Sequence, residues 1–128
     1  MVRSVLVALV VAVLVVAGAA PGSADFRIFS TTDGGTKGGV MTWEAESDNY
    51  MKVCDRDNDG LRVVGYLRYR SAGVNRTLFI QALGQGRCTY TNFSVRANKA
   101  VQVQVCLKDG DGSGIARSCS APFTDYTT

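Results

Sequence analysis

The sequence predicts an all-β fold: one disulfide-bridged antiparallel β-sandwich with a glycine-tethered N-terminal strand. Three observations predict it. Apolar and polar residues alternate at period two in several short runs, and no run repeats at the helical period. Clusters of Gly, Asp and Asn separate those runs at regular intervals, as turns do in sandwiches. Four cysteines stand in a chain of 128 residues that contains no histidine.

The chain opens with a leader pattern. Arg3 is the only charge before Asp25, and Val5 to Ala17 is unbroken Val, Leu and Ala. Gly22 and Ala24 are small residues where a signal peptidase reads, so 1–24 is expected to be a secretory signal peptide, with cleavage after Ala19 the alternative. A membrane span needs about 20 apolar residues, more than this run supplies. The expected product is secreted and extracellular, with no membrane association.

Residues 25–39 form an N-terminal strand and linker, and 40–128 the sandwich domain. In FRIFSTT, Phe26 and Ile28 lie on one side and Phe29 on the other; DGGTKGG follows as a flexible tether. The strand either folds back as an edge strand or is held out to pair with another protein's sheet. VMTWEAE, Val40 to Glu46, puts Trp43 on an apolar face with Met41 and Ala45. YMKVCDRDNDGLRVVGYLRYR, Tyr50 to Arg70, reads as a β-hairpin with an acidic tip. Thr77 to Ala82 and Thr89 to Val95 are further strands by composition. AVQVQVCL directs Val101, Val103, Val105 and Leu107 to the core, with Gln102, Gln104 and Cys106 facing away. Ile115 to Ser120 reads as a last short strand, and FTDYTT as a polar tail.

Cys54, Cys88, Cys106 and Cys119 include no Cys-x-x-Cys pair, and without histidine a zinc site is not expected. In an exported chain they form two disulfides, each contributing about 3 kcal/mol. The preferred pairing is Cys54–Cys88 with Cys106–Cys119, because the latter two flank one glycine-rich turn. Cys54–Cys106 stays open, since both sit on the outward phase of their strands.

Lack of histidine removes Ser-His-Asp and Cys-His catalysis, and disulfides leave no thiolate. Glu44 and Glu46 share a strand face at a carboxylate spacing known from glycosidases, but on a surface strand they serve solubility; no enzyme is expected. Asp55, Asp57 and Asp59 before Gly60 match the opening of a calcium loop, as do Asp109, Asp111 and Ser113 before Gly114. Both loops lack the glutamate at position twelve, where Tyr66 and Ser120 stand, so neither calcium nor any other cofactor is expected. Tyr66, Arg68 and Arg70 share a face that could take an anion or a sugar.

Charge is uneven. From Gly60 to Lys108 the chain carries Arg62, Arg68, Arg70, Arg76, Arg87, Arg96, Lys99 and Lys108 and no acid. A net charge of +3 is too small to point to nucleic acid. Asn75-Arg76-Thr77 and Asn92-Phe93-Ser94 are glycosylation sequons, which matter only in a eukaryotic source.

The succession GGVMTWE, KVCDRDNDG, VGYLRY, GQGRC, VQVQVCL and RSC resembles a family of small exported actinobacterial β-sandwich proteins with four cysteines. Some of its members are the adaptor subunits of umbrella toxin particles, secreted antibacterial assemblies. The resemblance implies a non-enzymatic adaptor joining a large ring-and-stalk toxin subunit to a lectin-bearing subunit with a trypsin-like domain. It also implies that the N-terminal strand, Phe26, Arg27, Ile28, Phe29, Ser30 and Thr31, reaches outward into a cleft of that second partner. Asp57 departs from the family's simpler acidic turn. The alternative function is a stand-alone secreted protease inhibitor or ligand-binding module.

Overall fold

Short alternating runs bury their apolar faces when two sheets are laid face to face. The structure, a computed structural model, describes residues 26–33 and 38–128; the expected signal peptide and the middle of the glycine linker lie outside them. β1 (Arg27–Ser30), β2 (Gly39–Glu44), β3 (Tyr50–Asp55) and β6 (Cys88–Asn92) form a first antiparallel sheet in the order β1-β2-β3-β6. β4 (Leu61–Ser71), β5 (Val74–Leu83), β7 (Ala100–Asp109) and β8 (Phe123–Tyr126) form a second, in the order β5-β4-β7-β8. Met41, Trp43, Met51 and Val53 of the first sheet meet Val63, Leu67, Val101, Val103, Val105 and Leu107 of the second in one core. The all-β disulfide-bridged sandwich is therefore the observed fold.

The stretch from Tyr50 to Arg70 is not a hairpin. β3 pairs with β2 and β6, β4 pairs with β5 and β7, and DRDNDG carries the chain from one sheet to the other. Alternation is satisfied equally by edge pairing and by face packing, and here Met51 and Val53 pack onto β4 from above. A Cβ on Gly65 would lie 2.7 Å from both Met51 Sδ and Val53 Cγ1. Buried Asp55 fixes the crossing. Its carboxylate accepts from the backbone N–H of Gly84 at 2.8 Å and of Asp57 at 3.3 Å, and its own N–H donates to the Arg87 carbonyl at 2.8 Å.

The tight hairpin is β4–β5, in register from Arg62↔Leu83 to Ser71↔Val74. Ala72 and Gly73 make its turn with φ of 50° and 76°, the type I′ geometry that matches strand twist.

The end of the chain differs from expectation. Ile115 to Ser120 is not a strand: Ser118 has φ 51°, and the stretch meets β7 through an isolated bridge, Leu107↔Arg117, a bond from the Ser120 N–H to the Val105 carbonyl at 2.8 Å and the Cys106–Cys119 disulfide. Extended pairing resumes further on, where the expected polar tail supplies β8. Phe123 alternates toward the core, Asp125 Oδ2 accepts from Trp43 Nε1 at 2.9 Å, and Thr127 is buried. Similarly β2 ends at Glu44, so Glu46 lies in the following turn and shares no strand face with it.

Both preferred disulfides form, and no cysteine is free. Cys54 and Cys88 are register partners on β3 and β6; Cys119 bonds back onto Cys106 of β7. Cys54–Cys106 is excluded because the two lie on different sheets, each on the outward phase. Two disulfides are consistent with an extracellular protein. Among the described residues no helix is long and apolar enough to cross a membrane.

Candidate partner-binding surface

Of the two courses open to the N-terminal strand, the chain takes the fold-back. β1 is the edge strand of the first sheet, with Arg27↔Trp43, Ile28↔Thr42, Phe29↔Met41 and Ser30↔Val40 in register. Two of its residues are occupied by the chain's own core. Phe29 packs on Phe123 with ring centroids 5.4 Å apart. Thr31 is buried, its N–H donating to the Gly39 carbonyl at 3.0 Å and its hydroxyl accepting from the Gly39 N–H at 3.0 Å. The next N–H, of Thr32, donates to the Ser118 carbonyl at 2.9 Å. The Arg27 guanidinium lies 5.4 Å from the Phe123 ring.

What remains outward is Phe26, Ile28, Ser30 and the far edge of the strand. Phe26 is 58% exposed and Ile28 62%. The row Ile28–Thr42–Lys52–Tyr90 crosses the outer face of the sheet, and Tyr90 stacks at 6.2 Å on Tyr50. The face is thus apolar and aromatic at both ends, with Lys52 between. No strand among the described residues pairs with the outer edge of β1 or with that of β5. An unpaired strand edge is a template for an added strand.

Both oxygens of Asp55 serve backbone N–H groups, and Asp59 Oδ1 accepts from the Leu61 N–H at 2.8 Å. Asp57 turns toward Gly38 and Asp33, and its Oδ1 has no partner among the described residues. Burial first, then the Asp59, Asp55 and Asp33 charges, raise its pKa above 3.8. In the second loop Asp109 pairs with Arg117 at 3.3 Å. Asp111 accepts from the Ser113 N–H at 2.8 Å, and bonds from Ser113 hold its pKa below the ordinary value. Among the described residues no three acids or cysteines are grouped to hold a metal ion.

Tyr66, Arg68 and Arg70 do share the outer face of the second sheet, by register on β4. The Arg68 guanidinium sits 4.7 Å from the Tyr66 ring centroid, and Nη1 donates to Gln104 Oε1 at 2.9 Å. Burial raises the Tyr66 pKa, with Arg68 opposing. Sequence reasoning missed the Gln104 and Asp125 partners; a buried indole N–H that needs an acceptor was the available signal for the latter.

Comparison with protein-family models, with curated proteins and with solved structures finds no match for this chain.

Proposed function

We propose that this chain is a secreted, non-enzymatic adaptor that joins subunits of an antibacterial toxin assembly, binding one partner through β1. The observation that carries the reading is an unpaired strand edge beside two large exposed apolar side chains, Phe26 and Ile28. Strand addition gives affinity through main-chain hydrogen bonds and specificity through pockets for alternate side chains. Phe26, Ile28 and Ser30 are the side chains such pockets would read, while Phe29 and Thr31 anchor the strand from behind. The strand is thus a presented edge rather than a free arm. Its partner, by resemblance, is the lectin-bearing subunit with the trypsin-like domain, and the large toxin subunit binds elsewhere on the sandwich. A leader cleaved near Ala24 and two disulfides fit this exported role.

Co-purification from culture medium tests it. Ile28→Asp and Phe26→Asp should lose the partner, because a charge enters an apolar pocket at high cost, whereas Phe79→Asp on the β5 edge should keep it. Loss with Phe79→Asp alone would move the contact to the other sheet.

A further inference from the structure

The outer face of the second sheet has a composition that its neighbours in the fold do not neutralise. β4, β5 and β7 come from the acid-free stretch, apart from Asp109 at the very end of β7. The acid of β8, Asp125, is turned onto the Trp43 indole. The outer face of the second sheet therefore carries its arginines with no acid opposite them on a paired strand. Among the described residues Arg68 and Arg70 make no ion pair.

One of these cations is held in place. Arg68 is stacked over Tyr66, which packs at 6.4 Å against Phe79, and its Nη1 is bonded to Gln104. Gln104 is itself fixed, its Nε2 donating to the Ser120 carbonyl at 2.9 Å, next to the Cys106–Cys119 bridge. A guanidinium already ordered loses less entropy on binding an anion. Beside it lies an open groove of about 440 Å³ lined by Arg68, Tyr69, Asn75, Arg76, Thr77 and Gln102.

We infer that this groove binds an acidic saccharide, a sugar chain bearing carboxylates. Arg68 supplies a planar fork for carboxylate, and Arg76, on the opposite phase of edge strand β5, lines the groove at the sheet's margin. Asn75, Thr77 and Gln102 offer amide and hydroxyl groups for sugar hydroxyls. Phe79, 56% exposed, gives a flat apolar face for the C–H side of a pyranose ring. The volume falls in the range of small-molecule sites. The chemistry is independent of β1, which lies on the other sheet.

The test is an amide NMR titration of the purified chain with trigalacturonate, its full methyl ester and hexaglutamate. Trigalacturonate should shift Arg68, Thr77 and Gln102, and the ester should not. Arg68→Gln should weaken binding by about tenfold or more, and Arg68→Lys should also weaken it, because an ammonium lacks the fork. Ile28→Asp should bind as the parent does. Melting curves of each variant confirm that it is folded. No shift with trigalacturonate, equal binding of hexaglutamate, or parental affinity in Arg68→Lys would each overturn the proposal.

Discussion

Ala72 holds a positive-φ backbone that suits asparagine or glycine better, at φ 50°. Relief of that strain by Ala72→Asn should stabilise the fold by about 0.5–1 kcal/mol, read as a melting temperature a few degrees higher. Asp125 presents the opposite case. Asp125→Ala leaves the buried Trp43 N–H without an acceptor and should cost about 1–3 kcal/mol in denaturant unfolding. Asp57 makes stability depend on pH. Its pKa is raised above 3.8, so its folded form prefers the proton. Its stabilising contribution is full below pH 3.8 and is lost as pH rises through the folded-state value. Asp57→Asn should therefore raise the melting temperature at about pH 7 and leave it nearly unchanged at about pH 3.

At the scale of elements, the close approach of β3 to β4 rests on Gly65. Gly65→Ala must displace Met51 and Val53, and should destabilise by about 1–3 kcal/mol. Much of this scale was legible. Alternation placed Met41, Trp43 and the valines of β7 on the buried face, and the spacing of Cys106 and Cys119 around one turn gave their bridge. The partner of β3 was not legible, because a period-two pattern states which face is buried and not which strand lies alongside. DRDNDG has turn chemistry whether it reverses a hairpin or changes sheets. The tail misled for another reason: FTDYTT has polar outward residues, and its strand exists because Phe123 and Asp125 meet Phe29 and Trp43, which are remote in sequence. The two candidate surfaces were legible to different degrees. Tyr66, Arg68 and Arg70 were placed together by alternation alone, whereas the choice between edge strand and free arm depended on Phe29 finding Phe123.

Across the whole molecule, β1 has two roles that single substitutions can separate. Removing 26–32 discards Phe29 and buried Thr31, and should cost roughly 2–4 kcal/mol of stability. Ile28→Asp changes only an exposed position and should alter stability by about 0.5 kcal/mol or less. The free edge itself is best read by hydrogen exchange on the chain alone and in complex with the partner that co-purifies with it. Strand addition predicts slower exchange at those amides of β1 that are not already bonded to β2, with β5 unchanged. Unchanged exchange along β1, with slowing instead at β5 or on the outer face of the second sheet, would contradict it.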